Sequence, residues 1–449
     1  MSAPHIVMPV ELSPQFKTSK LGVSLARWIQ QLKTEDLDHL NEAVQHLTRH
    51  AEVALPLLIE ALQTAEEEIR KNVAWVLGFI RAPEALSILF QVMGTDSSMD
   101  VRLGASWALR QYDYRELIPV VFQKLPAPKT GDDVRGYLES KSWKARWFCV
   151  IYLGQVSPPA FQEALMERAF ADEEMLIRCA AILSLAGYNT PEVTELLMRL
   201  LSQIDDHVKM EAAAMLSLKN EPAAIPELAK QLNAFNSNVR VAAISAIGAL
   251  ASDPQAVLPY LAQGLKDEDA FVRMNTAMAM FDVAQRYRQP HQNLKDLCLK
   301  ALKDGNVYVV KNAARTLGLV GDEEALREIT GLLKQEQRPE VIANLIHALG
   351  LFEDPRTFKV LAKAFKHKAW EVRFEVINAL SRLKDKRVYG LLLQGLKDPA
   401  VMVQEQAVRA LGAHGNRKAI PALEKLKMQH PYGAINKSIN QALDKLLSL

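Results

Sequence analysis

The chain has 449 residues, of which 49% carry apolar side chains and 24% are charged, and its formal net charge is only +2. That composition can bury a large core and excludes a disordered or collagen-like chain. Three dispersed cysteines, Cys149, Cys179 and Cys298, exclude a disulfide framework and a paired-cysteine metal site; they point to a reducing compartment and read as small buried hydrophobes.

In chain order, the first element is a tail of about 20 residues, MSAPHIVMPVELSPQFKTSK, read as flexible. It lacks the basic start and apolar stretch of a secretory leader, and no run of about 18 apolar residues follows. The expectation is a soluble, cytoplasmic protein.

From there one ten-residue pattern recurs. After a weak copy at His39 come Ile69 (IRKNVAWVLG), Val101 (VRLGASWALR), Ala145, Ile177, Val208, Val239, Val272, Val309, Val341, Val372 and Val403, with a last weak copy at Ile435, thirteen in all. Ten of the twelve spacings fall between 30 and 33 residues. A period of that length marks a solenoid. Within each copy apolar residues fall at offsets 0, +4, +7 and +8, one stripe of an α-helix.

An aspartate sits five residues before several of these helices, at Asp96, Asp172, Asp267, Asp304 and Asp398, and is expected to cap the first turn. Upstream stretches such as LPLLIEAL and IPELAKQL read as a partner helix. They carry Pro56, Pro119, Pro226, Pro259 and Pro421 at equivalent places, expected in the first turn, where the missing N–H costs nothing. The unit is helix, turn, helix.

The D-x4-[VI]-R-x2-A-x2-AL pattern with the upstream P-x-L-x3-L helix resembles HEAT repeats, specifically the short PBS-lyase HEAT-like repeat, from Leu37 to Leu449. The resemblance implies an all-α fold, a right-handed α-solenoid of about 13 helical hairpins. It would run continuously over residues 21–449, with the second helices on the concave face. For function it implies little, since bilin-lyase subunits, scaffolds and a metal-dependent hydroxylase share the repeat.

Two intervals break the period. The 44-residue one holds LPAPKTGDDVRGYLESKS, an inserted loop over about 125–142 with room for a short helix; the 37-residue one holds AQRYRQPHQN, a longer turn. Each reads as a surface loop beside a binding face or as a neutral insertion.

Offset +1 is basic at Arg70, Arg102, Arg146, Arg178, Lys209, Arg240, Arg273 and Arg373. The column reads as an anion track or, as the family resemblance suggests, as side chains paired to an acidic group or carbonyl of the adjoining turn. Offsets +2 and +6 face away from the core. In the N-terminal half they include Trp75, Leu103, Trp107, Trp147, Ile151 and Met210, with Phe148 adjacent; in the C-terminal half they include Lys311, Arg315, His347, Asn378, Glu405 and Arg409. The aromatic half is either a partner-binding groove or is buried by curvature or by the inserted loop. Offset +3 carries Asn72, Asn275, Asn312 and Asn344, which resemble the asparagine ladder of armadillo proteins that holds an extended peptide, or which bond neighbouring turns.

No phosphate-binding glycine loop, nucleophile elbow or dinucleotide fingerprint occurs. The ten histidines are dispersed and no His-Glu dipeptide is present, unlike the iron-binding steps of the hydroxylase with this repeat. No cofactor, metal site or catalytic constellation is expected.

Residues 356–449 hold 18 Lys and Arg against 7 Asp and Glu. Lys359, Lys363, Lys366, Lys368, Lys384, Lys386 and Arg387 form the core of this basic patch, a dock for an acidic partner or for nucleic acid. Some HEAT-like proteins are DNA glycosylases. A third reading, implied by the bilin-lyase resemblance, places a linear tetrapyrrole in the aromatic groove with its propionates on Arg146 and Arg178. The favoured expectation is a non-enzymatic scaffold that holds a protein partner in the groove.

Overall fold

In the computed structural model of the chain, residues 20–33, 37–122, 128, 130–251, 253–287, 291–430 and 432–448 are described; the expected flexible tail lies outside them except for Lys20. Every regular element among them is helical. The helices divide into two compact units, Met1–Glu221 and Pro222–Leu449.

Unit 1 holds α1 Lys20–Gln31, α2 Leu37–Arg49, α3 Ala51–Thr64, α4 Glu67–Ile80, α5 Leu86–Thr95, α6 Met99–Arg110, α7 Tyr114–Val121, α8 Gly131–Leu138, α9 Trp143–Val156, α10 Gln162–Ala171, α11 Met175–Ser184, α12 Pro191–Leu200 and α13 Asp206–Leu218. Unit 2 holds α14 Ile225–Lys230, α15 Ser237–Leu250, α16 Pro254–Gly264, α17 Ala270–Tyr287, α18 Gln292–Ala301, α19 Val307–Val320, α20 Glu323–Leu333, α21 Pro339–Leu351, α22 Phe358–Ala364, α23 Trp370–Arg382, α24 Val388–Gly395, α25 Val401–His414, α26 Ile420–Gln429 and α27 Ala434–Leu447.

The repeated decapeptides form the second helices, α4, α6, α9, α11 and α13 in unit 1 and α15, α17, α19, α21, α23, α25 and α27 in unit 2. Their apolar offsets are the core: Val101, Ala105, Ala108 and Leu109 in α6 are wholly buried, as are Val372, Val376 and Leu380 in α23. Several consecutive second helices within each unit pack on each other, such as α4 on α6 and α21 on α23. A glycine at offset +9 sets that approach. A Cβ on Gly78 would lie 2.8 Å from the Ala108 Cα, and one on Gly350 would lie 2.7 Å from the Ala379 Cα.

The aspartates are not helix caps. Asp96, Asp172, Asp267, Asp304 and Asp398 each accept the backbone N–H of the residue two positions on, at 2.8–3.0 Å, and that residue precedes the helix proper. The side chain therefore braces the turn rather than the first helical turn; Ser98, Asp205 and Asn306 are the actual side-chain caps of α6, α13 and α19. The prolines split in the same way. Pro226 and Pro421 stand in the first turn, but Pro56, Pro119 and Pro259 lie inside α3, α7 and α16, because each of those helices starts about a turn earlier.

The long interval holds a helix of its own. α8 starts on a capping box of Thr130 and Asp133, and Val134 and Leu138 bury its inner side where it packs on α9. Residues 125–127 and 129 of the expected loop lie outside the described residues, as do 288–290 of the second insertion.

Candidate partner-binding face of unit 1

The arginine column is structural. Arg70, Arg146, Arg240, Arg273 and Arg373 each form two parallel bonds, 2.7–3.2 Å long, to the turn aspartate of the following repeat: Asp96, Asp172, Asp267, Asp304 and Asp398. Arg178 reaches Asp205 at 2.6 Å in the same sense. The Nη1 groups of all six donate to a carbonyl of their own preceding turn. A guanidinium fork suits this two-sided clamp, which ties each repeat to the next. Arg146 and Arg178 are thus occupied and do not await propionates. Arg102 has no such partner, because Ser140 stands at the turn position of the following repeat; its Nε donates to the Met93 carbonyl at 2.9 Å.

The expected aromatic floor separates into two parts. Trp147, Phe148 and Ile151 are buried, which corrects their assignment as contact residues. Trp147 Nε1 donates to Ser106 Oγ at 2.8 Å and the ring meets Phe90 edge-on at 6.0 Å; Phe148 meets Phe122 at 4.9 Å. Burial has a geometric cause: α6 packs directly on α11, two second helices further along, so α9 between them is enclosed. Arg110 on α6 makes that closure explicit, its Nη1 donating to the Ala180 carbonyl at 2.8 Å and to Ser184 Oγ at 3.1 Å.

Trp75 and Trp107 are different. Their rings are 5.8 Å apart and tilted, and Phe79 meets Trp107 edge-on at 5.3 Å. Trp75 is 44% exposed and Phe79 55%, with Trp107 and Leu103 half-buried beside them. Phe79 belongs to the cluster although it lies at offset +10, beyond the decapeptide; its i, i+4 spacing from Trp75 is the signal that finds it.

The same face of α6 carries a polar cluster. Asp100, Leu103, Trp107 and Arg110 recur at three- and four-residue steps, hence on one stripe. His207 Nε2 on α13 lies 2.9 Å from Asp100 Oδ1, and half-buried Glu211 and Met210 stand on that helix one turn on. The bond to Asp100 raises the His207 pKa against the opposing cost of burial, and it lowers that of Asp100. Burial pushes Glu211 up to about 7, although the positive charges of Arg110 and His207 oppose the rise. Burial lowers Arg110 to about 10, with the Glu211 charge acting the other way. Glu211 accepts no hydrogen bond from the described residues. Sequence reasoning missed this cluster. One signal was available: Arg110 stands at offset +9, where six other copies carry glycine.

The asparagine column offers no ladder. Asn72 donates to the Leu32 carbonyl at 2.6 Å, Asn275 to Phe271 and Asn344 to Glu340 one turn back in their own helices, and Asn275 and Asn312 are buried. Offset +3 borders the apolar stripe, so the amides of Asn72, Asn275 and Asn344 satisfy nearby backbone. In unit 2 the polar second-helix residues satisfy one another: His347 lies 3.1 Å from Glu375, which also accepts from Asn378, and Arg409 pairs with Glu405. The basic patch, Lys359, Lys363, Lys366, Lys368, Lys384, Lys386 and Arg387, is exposed on first helices and turns. Among the described residues no group of three potential metal ligands occurs and no helix is long and apolar enough to cross a membrane.

These features define a class, an all-α protein of stacked helical hairpins with an arginine–aspartate clamp between repeats. The profile of HEAT repeats matches residues 25–110, 131–217, 162–234, 225–285 and 329–401, more than half of the sequence, and that of the PBS lyase HEAT-like repeat matches 403–427. The chain belongs to the HEAT-repeat family. Among solved structures, yeast importin-beta (Kap95p) is similar over 98% of this chain and 68% of its own, with 15% identity and a TM-score of 0.52. Kap95p studied with RanGDP is similar over 98% and 67%, with 16% identity and a TM-score of 0.51. Such likeness is one of fold. No curated protein matches the sequence.

Proposed function

We propose that the protein is a non-enzymatic scaffold that holds a segment of a protein partner against the second-helix face of unit 1. The observation that carries this reading is the aromatic cluster of exposed Trp75 and Phe79, each in ring contact with Trp107, which the repeat does not need for its core. Tryptophan concentrates at the centres of interfaces because it buries much apolar area for little lost side-chain entropy. Leu103 and Met210 extend the apolar surface, and Asp100, Arg110, His207 and Glu211 supply donors and acceptors on the same face. Arg110 and the unbonded Glu211 carboxyl suit the paired N–H and C=O groups of an extended peptide.

The test is capture from the native cell by the wild-type chain and by a Trp75→Ala/Phe79→Ala variant. A partner lost about tenfold or more with the variant, while the far-ultraviolet circular dichroism and the melting curve are unchanged, supports the reading. A partner retained equally by the variant overturns it.

A further inference from the structure

In unit 2 the residue six positions before the second-helix anchor is a lysine in four copies, Lys266, Lys303, Lys366 and Lys397, each exposed in the turn that ends a first helix. A cation is favoured at a helix C-terminus by the helix dipole, which accounts for one lysine per repeat. It does not account for Lys359 in the first turn of α22, or for Lys425 before the last turn of α26. Nor are these lysines matched by acids. Three arginines of the region are tied, Arg356 to Asp354 and Glu323, Arg373 to Asp398 and Arg387 to Asp385, whereas Lys363, Lys366, Lys397 and Lys425, like Arg382 and Arg417, form no ion pair among the described residues.

Two of the grooves between consecutive first helices combine these lysines with an apolar wall. One, about 490 Å³, lies between α20 and α22 and is lined by Leu333, Ile342 and Val360 with Lys334, Lys363 and Lys366. Its single acidic residue, Glu336, is held by Arg338. The second, about 420 Å³, lies between α24 and α26 and is lined by Leu393, Leu396 and Leu426 with Lys397 and Lys425. The equivalent groove between α1 and α3 of unit 1, about 380 Å³, has the apolar wall of Ile29 and Leu57 but Glu60 in place of lysine. The apolar groove thus belongs to the repeat, and its cationic rim belongs to unit 2.

We infer that this first-helix face of unit 2 docks an extended acidic segment of a partner protein, which seats one bulky apolar side chain in each groove and lays carboxylates along the lysines between them. Packed helices stand 8–10 Å apart, so grooves two helix steps apart are separated by about 20 Å. An extended chain covers that distance in about six residues. The segment is therefore acidic, with two apolar anchors about six residues apart. A nucleic-acid duplex matches the charge but brings no apolar group to either groove.

The test uses the full chain and a labelled synthetic peptide rich in Glu and Asp with two leucines six residues apart, followed by fluorescence anisotropy. Three competitors are measured alongside: the same peptide with alanines for the leucines, poly-glutamate of equal charge, and short duplex DNA. Replacing the leucines should weaken binding about tenfold or more per anchor. The Lys363→Glu/Lys366→Glu/Lys397→Glu/Lys425→Glu variant should lose binding to a similar extent, and affinity should fall as salt rises. The peptide comparison needs no variant, so it stands even if that variant fails to fold. Trp75→Ala/Phe79→Ala should leave this binding unchanged, which separates it from the unit 1 face. Equal binding of the leucine and alanine peptides, tighter binding of duplex DNA, or no binding of the leucine peptide overturns the proposal.

Discussion

Residues of one chemical type divide here by what closes over them. Trp147 is wholly buried and bonded through its indole N–H, while Trp75 is nearly half exposed. Trp147→Ala should therefore cost about 3–5 kcal/mol, and Trp75→Ala no more than about 1 kcal/mol, as read from urea unfolding. Charge pairs divide in the same way. Arg146 and Asp172 are 4% and 1% exposed, whereas Arg115 and Asp113 are 72% and 49% exposed. Asp172→Ala leaves a buried guanidinium with Glu173 as its one remaining carboxylate among the described residues, beside the Ser140 carbonyl, and should cost roughly 2–3 kcal/mol in the same measurement. Asp113→Ala removes an ion pair worth less than about 1 kcal/mol, beyond its helix-cap contribution.

At the scale of the helix, the closure of α6 on α11 and α13 gathers titratable groups from several elements: Lys71 from α4, Asp100 and Arg110 from α6, Arg178 and Cys179 from α11, Asp205 from the preceding turn, and Asp206, His207 and Glu211 from α13. Glu211 titrates near neutrality, and His207 is raised from its ordinary value. The raised His207 pKa contributes stability that is complete below about 6.5, the unfolded value, and is lost as pH rises through the folded value. Glu211, raised from 4.5 to about 7, holds its proton more tightly when folded, so its penalty grows between those values and is complete above about 7. Both act in one direction. Unit 1 should be less stable at pH 8 than at pH 5.5 by on the order of 2 kcal/mol, and Glu211→Gln should remove most of that difference, as followed by thermal melting across the pH range. A Glu211→Gln variant with the wild-type pH profile would contradict the assignment.

For the molecule as a whole, the period and the apolar offsets made the helical hairpins and the buried stripe legible in the sequence, and the family resemblance suggested the pairing of the arginine column. These are local or nearest-neighbour properties, repeated many times. The caps were placed wrongly because an aspartate two residues before a helix cap can serve the turn and an arginine of the preceding repeat at once. The fate of Trp147, Phe148 and Ile151 was not legible. It depends on α6 reaching past α9 to α11, a contact between helices about seventy residues apart that no nearest-neighbour pattern encodes. The insertion was visible as a break in period, but the clustering of Asp100, Arg110, His207 and Glu211 was not.

The central claim is that the aromatic cluster of Trp75 and Phe79 on α4 with Trp107 on α6 is where a partner protein lies. Hydrogen–deuterium exchange of the captured complex against the free chain tests it most directly, because it reads the contact surface without altering it. The account predicts added protection over Glu67–Ile80 and Met99–Arg110, with the first helices of unit 1 unchanged. Protection confined to first helices, with Glu67–Ile80 and Met99–Arg110 exchanging as in the free protein, would contradict it.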